Sequence, residues 1–241
     1  MVLMLRPRSG AGQWVKRESY DIEPSVTVFE YMDIYGNLCQ RLTAQPDGLS
    51  ITSSCDVEVA DWADFAPGVM LDPVEMLPDF VLHFLLPSRY CESDKLGDVA
   101  LEIAGGFTPG FDQAEAIRTW VQKSVAYVQG ASDTSTSALD TLASKQGVCR
   151  DQTHLGIALC RALGIPARMV VGYLFGLQPM DLHAWFECYI GGRWWTFDPK
   201  EPVTVGGRIV TGYGRDATDV AIATQYGPAT LTAMWVTVQT L

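Results

Sequence analysis

The chain has 241 residues, of which 48% are hydrophobic and 19% are charged, a composition typical of globular proteins and not of disordered ones. Its 17 basic and 28 acidic side chains give a formal net charge of −11, so nucleic acid is not an expected partner, because phosphate binding requires a basic surface. The length corresponds to one large domain or two small ones.

The lengths of the hydrophobic stretches and the cysteine content indicate the cellular compartment. No stretch reaches the ~20 apolar residues of a membrane span, and the apolar run before Arg6 is shorter than the ~7–15 residues of a secretory signal. We therefore expect a cytoplasmic protein with no membrane partner, in which the six cysteines are free thiols. No CxxC pair occurs, so no metal site is expected.

The first part of the chain is predicted to contain strands. Residues 1–13 carry Pro7, Gly10 and Gly12 and are predicted to form a loose tail. Over 14–85, short segments alternate apolar and polar residues, which predicts a small sandwich-like β domain. Residues 86–110, rich in glycine and proline at their end, are predicted to form a connector.

From 111 to 241 the pattern changes to helices followed by strands, which predicts an α+β core. Helical periodicity predicts helices at about 113–128, 137–144 and 149–163, and Gly164 and Pro166 terminate the last one. The segments ARMVVGYL, HAWFECYI and RWWTFDP are predicted strands, and residues 203–241, ending in MWVTVQTL, are predicted to form more strand.

Cys149 is the best candidate nucleophile. It lies at the predicted N-terminus of a helix, directly after a Gly-Val pair, where unpaired backbone amides and the helix dipole favour a thiolate. Its own amide is a plausible donor to an oxyanion. Taken alone, a free cysteine is more often a small core residue, and we read the other five cysteines in that way.

Among the three histidines, His183 is the candidate base. His154 lies five residues after Cys149 on the same predicted helix and points about 140° away, so it is interpreted as a packed or capping residue. His83 falls in the predicted β domain and is interpreted as structural.

A predicted hairpin supplies a partner for His183. If Gly191 and Gly192 form a two-residue turn, Trp185 lies opposite Asp198 in the register. His183 and Asp198 then lie on one face as diagonal neighbours, ~7–8 Å apart along the backbone and within side-chain reach. A three-residue loop would place them on opposite faces. In this arrangement Asp198 orients the imidazole.

The strings GVCRDQTHLGIALCRALGIPARMVVGYL and DLHAWFECYIGGRWWTFDP, with GRDATD at 214–219, closely resemble bacterial transglutaminase-like cysteine proteins. The stretch YMDIYGNLCQRLTAQPDGLSITSS resembles the β domain that often precedes that core. The resemblance implies a papain-like transglutaminase-like catalytic core, with a helix bearing cysteine packed on an antiparallel sheet. Carried over by motif, Cys149 is the nucleophile, His183 the base and Asp198 the orienting group.

Further residues follow from the same resemblance. Relatives often use an aromatic oxyanion donor upstream of the cysteine, for which Tyr127 is the candidate, with a core tyrosine as the other interpretation. Trp185 shares the His183 face and is a candidate for lining the cleft. The family commonly has an aromatic residue two positions after the Asp of GVCxD. Here Gln152 and Thr153 follow that aspartate, which predicts a more polar pocket floor.

The implied activity is that of a cysteine-nucleophile amide hydrolase or acyl transferase, a protease, amidase or transamidase. It would act on a peptide or protein amide through a thioester and need no cofactor. Water as acceptor gives hydrolysis and an amine gives transamidation; the sequence favours neither. Two alternatives remain open, a non-catalytic peptide-binding or protein-binding module on the same fold, and a peptide N-glycanase-like deglycosylase. The second usually has a zinc site built on CxxC pairs, which this chain lacks.

Overall fold

A computed structural model describes residues 1–10, 12–60, 65–201 and 207–241. Residue 11, in the predicted tail, 61–64, in the predicted β domain, and 202–206, in the predicted core, lie outside the described residues. The helices are α1 (Asp79–Leu82), α2 (Gly97–Ala104), α3 (Phe111–Ser124), α4 (Ala138–Ser144) and α5 (Cys149–Ala162). The strands are β1 (Val2–Leu3), β2 (Gln13–Glu23), β3 (Val28–Met32), β4 (Leu38–Leu42), β5 (Ser50–Val59), β6 (Ala126–Tyr127), β7 (Gln146–Gly147), β8 (Ala167–Leu174), β9 (Leu182–Ile190), β10 (Arg193–Phe197), β11 (Arg208–Gly214) and β12 (Ala223–Thr224).

The core consists of α5 packed on a four-stranded antiparallel sheet of order β10-β9-β8-β11. Helix α5 is buried over Asp151–Arg161, and β8 and β9 are almost fully buried, which agrees with their nearly continuous apolar sequences. Helices α2, α3 and α4 pack against α5 or against one another. The predicted α+β class is confirmed.

The predicted helices are found with small changes at their ends. Helix α3 ends at Ser124, four residues before the predicted 128, because Val125 is extended and the chain enters β6. Ser137 caps α4 by accepting a hydrogen bond from the backbone amide of Asp140. Helix α5 begins at Cys149 as predicted, and Gly164, just beyond its end, has a φ of +75°.

Three N-terminal strands and β12, from near the other end of the chain, form a sheet of order β12-β1-β4-β3, and β2 and β5 form a separate antiparallel ribbon. The prediction of a loose tail over 1–13 is wrong, because Val2 pairs with Arg41 on one side and with Thr224 on the other. The N-terminal ammonium also donates to the Leu42 carbonyl oxygen at 2.8 Å. The first strand of this sheet is therefore present, although it is only two residues long.

Two other predictions are corrected. Residues 86–110 are not a plain connector, because they include α2, whose Ala100 and Ala104 lie with Leu96 in the same buried cluster as α5. Residues 225–241 form no strand, so MWVTVQTL is wrongly predicted. The alternation of that segment is compatible with a strand, but a strand also requires a neighbouring edge to accept its backbone hydrogen bonds. Among the described residues, no helix is long and apolar enough to span a bilayer.

Candidate active site

The turn before α5 fixes the position of Cys149. Asp151 is fully buried, accepts a hydrogen bond from the Val148 amide at 2.8 Å and also contacts Ser132. A Cβ on Gly147 would lie 2.7 Å from the Cβ of Asp151, so only glycine fits there. Cys149 is the first residue of the helix, where the backbone amide has no acceptor within the helix, and its side chain is half-buried.

Gly156 sets the separation between α5 and β9. A Cβ at this position would lie 2.5 Å from Cε1 of Phe186, so the helix approaches the sheet more closely than any other residue would allow. Because Cys149 begins α5 and His183 lies on β9, this close packing holds the thiol and the imidazole at a fixed separation.

The β9–β10 hairpin has the predicted register. Arg193 pairs with Ile190 and Phe197 pairs with Phe186, as a two-residue turn requires. His183 Nε2 lies 2.7 Å from Asp198 Oδ2, and both side chains are buried. Since Asp198 occupies Nε2, Nδ1 is the ring nitrogen left for the thiol.

His183 carries the electrostatic signature of an ion-pair partner. Burial alone would lower the pKa of its imidazole. Hydrogen bonds to Asp198 and Cys149, together with their negative charges, outweigh burial and raise this pKa to about 9. At neutral pH the imidazole is therefore charged, and it is bonded to the carboxylate of Asp198.

Asp198 is surrounded by donors. Its Oδ2 also accepts a hydrogen bond from Arg208 Nη2 at 2.9 Å, and its Oδ1 accepts from the backbone amides of Lys200 and Glu201 at 3.0 and 3.1 Å. Burial would raise the pKa of Asp198, but His183 and then Arg208 hold it below its ordinary value. The carboxylate is thus ionised and fixed in orientation.

Arg208 is the site residue that sequence reasoning missed. It is the first residue of β11 and reaches Asp198 from the opposite edge strand of the sheet, with its guanidinium carbon 5.9 Å from the centre of the Trp185 ring. No local motif links it to Asp198. The only sequence signal is an arginine at the start of a mostly apolar strand.

Tyr127 lies near the N-terminus of α5. Strand β6 pairs in parallel with β7, so Tyr127 is aligned with Gly147, two residues before Cys149. Burial raises the pKa of the Tyr127 hydroxyl, and charges on Cys149 and Asp181 act in the same direction. The hydroxyl therefore stays protonated at neutral pH, as a hydrogen-bond donor must.

Trp185 does not line an open cleft. It is 1% exposed and stacks on His183, with ring centroids 5.8 Å apart. The prediction that Trp185 shares a face with His183 is correct. The prediction that Trp185 lines the cleft is wrong, because the face that carries the two side chains is covered in this part of the sheet.

The remaining histidines have structural surroundings. His154 Nε2 accepts a hydrogen bond from the Ala217 amide at 3.1 Å, and its ring stacks on Tyr90. Burial lowers the pKa of His154 to about 4, so it is neutral. The GRDATD segment thus anchors α5 through the Ala217 amide. His83 packs against the rings of Tyr35 and Phe84.

All six cysteines are free, and four of them are buried: Cys39, Cys91, Cys160 and Cys188. Cys55 and Cys149 are the two with partial exposure. Within the described ranges, no group of three or more His, Cys, Asp or Glu side chains is arranged to hold a metal ion.

Comparisons with known proteins agree with this architecture. A family model of the transglutaminase-like superfamily matches residues 97–199, and one of the bacterial transglutaminase-like N-terminal region matches residues 1–58. A crystal structure from Cytophaga hutchinsonii, provisionally described as a cysteine protease, is 35% identical with a TM-score of 0.86, covering 94% of this chain and 80% of that one.

Two curated relatives are mycobacterial proteins without an assigned activity. A Mycobacterium leprae protein is 29% identical over 238 residues, covering 90% of this chain and 82% of its own length. A Mycobacterium tuberculosis protein is 29% identical over 214 residues, covering 78% and 68% respectively. The chain belongs to the transglutaminase-like superfamily and carries the bacterial transglutaminase-like N-terminal region.

Proposed function

We propose that the protein is a cysteine-nucleophile enzyme that transfers the acyl group of a peptide or protein amide to water or to an amine. Cys149 is the nucleophile, His183 the general acid and base, and Asp198 the group that orients and charges the imidazole. The observation that carries this proposal is the buried 2.7 Å hydrogen bond between His183 Nε2 and Asp198 Oδ2, with Cys149 as a second neighbour that helps to raise the pKa of His183 to about 9.

The proposed reaction has two steps. The Cys149 thiolate attacks the amide carbonyl carbon, and the carbon–nitrogen bond breaks as His183 gives its proton to the leaving amine, which leaves a thioester on Cys149. Neutral His183 then takes a proton from water or a second amine as that nucleophile attacks the thioester, and the thiolate is restored. The Cys149 amide and the Tyr127 hydroxyl are the proposed donors to the tetrahedral oxyanion.

Alkylation of individual cysteines tests the nucleophile and its partner. The rate of iodoacetamide modification is measured from pH 5 to 10 and assigned residue by residue by mass spectrometry. Cys55 is the internal control, because it is also partly exposed while burial, Glu18 and Asp56 raise its pKa. We expect Cys149 to react rapidly at pH 6–7 while Cys55 does not.

The His183→Ala variant completes this test. It should remove the rapid reaction of Cys149 at pH 6–7 and leave the profile of Cys55 unchanged. If Cys149 follows the profile of Cys55 in the wild-type protein, the proposal is contradicted and a peptide-binding module becomes the better interpretation. Where Cys149 is activated, hydroxylamine added to a peptide mixture traps the acyl group as a hydroxamate, and its yield relative to free acid separates transfer from hydrolysis.

A further inference from the structure

A concave site lies about one helical turn along α5 from Cys149, and most of its lining residues are not used in the chemistry described above. It encloses about 420 Å³ between the end of α3, strand β6, the start of α5 and the turn after Asp198. Its lining includes Lys123, Tyr127, Lys145, Gln152 and Lys200.

The site is positively charged in a strongly acidic protein. Among the described residues, three lysines line it and no aspartate or glutamate does, although the chain carries a net charge of −11. Lys200 forms a 3.4 Å ion pair with Glu201, which is not among the lining residues, and its ammonium lies over the Tyr127 ring. Lys145 lies over the Trp120 ring. Each of these ammonium groups keeps donors for a further acceptor.

Gln152 provides an independent sign of a ligand. It lines the site and is 3% exposed, and its Nε2 donates to the Val125 carbonyl oxygen at 3.0 Å. This bond fixes the amide orientation, because a carbonyl oxygen accepts only from the NH₂ side. The Gln152 Oε1 has no partner among the described residues. A buried amide oxygen without a donor is costly, so the site is matched to a ligand that brings an N–H group.

The site is continuous with the catalytic centre. Gln152 lies on α5 one turn after Cys149, and the Lys200 amide donates to Asp198. Tyr127 lines the site and is near enough to Cys149 for the charge of the thiol to raise its pKa. A peptide whose scissile amide lies at Cys149 therefore extends into this site with its neighbouring residue.

We propose that this lysine-lined site binds a carboxylate of the peptide substrate next to the amide attacked by Cys149, and that Gln152 Oε1 accepts a hydrogen bond from the peptide backbone at the same residue. This inference rests on the proposed function and specifies its substrate class, a peptide with a carboxylate beside the reacting amide. That carboxylate is either an acidic side chain or a free C-terminus.

Equilibrium binding tests the inference without requiring catalysis. The Cys149→Ala protein is titrated calorimetrically at low salt with three acetylated tripeptides. One has a central glutamate and an amidated C-terminus, one has a central glutamine and an amidated C-terminus, and one is trialanine with a free C-terminus. We expect one of the carboxylate peptides to bind about tenfold more tightly than the glutamine peptide, the combined effect of two or three partly exposed ion pairs.

Lysine variants in the same background locate the binding. Lys145→Met and Lys123→Met should each reduce the tenfold preference to about threefold or less, and Lys95→Met, an exposed lysine outside the site, should not. Gln152→Met should weaken binding of acidic and neutral peptides alike. The exposed lysine variants keep the test valid if Gln152→Met fails to fold.

The two proposals fail in different ways. Equal binding of all three peptides, or a carboxylate preference that persists in both lysine variants, overturns the carboxylate site and leaves the alkylation result for Cys149 untouched. A carboxylate preference that depends on the lysines, together with an unreactive Cys149, supports the site and contradicts the enzyme. The peptide that binds more tightly identifies the source of the carboxylate.

Discussion

Replacing Asp198 by asparagine should lower the pKa of His183 from about 9 towards its ordinary value of 6.5. The pKa is about 9 in the wild-type protein and 6.5 for an ordinary histidine, a difference that corresponds to about 3 kcal/mol in favour of the charged imidazole. Asparagine removes the negative charge that Nε2 contacts at 2.7 Å, while burial, which lowers the pKa, remains. The Cys149 side chain still raises the pKa in the variant, so we expect most of the difference between 9 and 6.5 to be lost.

Imidazole nitrogen NMR measures this change directly. Burial lowers the pKa of His154 to about 4, and burial together with Arg215 and Arg161 lowers that of His83. His183 is thus the only one of the three histidines expected to be protonated at pH 8, so its signals are assigned without further variants. At pH 7.5 the wild-type imidazole should be charged and the Asp198→Asn imidazole neutral, with a parallel loss of rapid Cys149 alkylation.

Asp216→Asn is the matched control. Asp216 is also buried and accepts backbone hydrogen bonds from Tyr90 and Thr218, but it neighbours His154 and not His183. It should leave the titration of His183 unchanged. Titration of wild-type His183 near 6.5, or an unchanged value in Asp198→Asn, would refute the reasoning that the carboxylate charges the imidazole.

Three further predictions concern stability. Gly156→Ala places a methyl group 2.5 Å from Phe186 and should lower the free energy of unfolding, measured by urea denaturation, by about 1–3 kcal/mol. Arg161→Met should lower it by about 3 kcal/mol or more, because the buried guanidinium donates to the carbonyl oxygens of Ala167, Leu86 and Arg215, which each lose a donor. Arg208→Gln removes a cation that holds the pKa of Asp198 down. During acidification Asp198 is therefore protonated at a higher pH in the variant, and the stability that the ionised carboxylate contributes is lost at that higher pH. Its acid-unfolding midpoint should therefore rise.

Each of these variants has a control or a contradicting result. Gly97→Ala, in α2, where no atom outside the adjacent residues and the helix's own backbone lies within 4 Å of the new methyl group, should not lower the free energy of unfolding. Arg89→Met, an exposed arginine over the Tyr90 ring, should change it by less than about 0.5 kcal/mol. An acid-unfolding midpoint for Arg208→Gln equal to that of the wild-type protein would show that Arg208 does not hold Asp198 in its ionised form.

His183 also gives stability a dependence on alkaline pH. Because its folded pKa lies above its unfolded value, its contribution is fully present below pH 6.5 and is lost as the pH rises through about 9. The difference in free energy of unfolding between wild type and His183→Gln should shrink across that window. A difference that stays constant from pH 6 to 10 would contradict the raised pKa.

The sequence by itself determined the parts of the site that depend on local structure. A cysteine at the start of a periodic helix and a two-glycine turn between two strands are local features. The first predicted that α5 begins at Cys149, and the second predicted that His183 and Asp198 lie within reach of each other, as the structure shows. The turn residues set the hairpin register, and register sets which side chains share a face. The face shared by His183 and Asp198 could therefore be predicted from the sequence without knowledge of any tertiary contact.

Only the tertiary structure decided the contacts between elements distant along the chain. Val2 finds its partner at Thr224, at the other end of the sequence, and no local pattern in the first residues indicates that edge. Arg208 reaches Asp198 only because β11 lies beside β8 in the sheet. The lysine-lined site likewise requires α3, the start of α5 and the turn at Lys200 to meet. Side-chain periodicity specifies which face of an element is buried, but the element that covers that face is selected by packing of the whole chain.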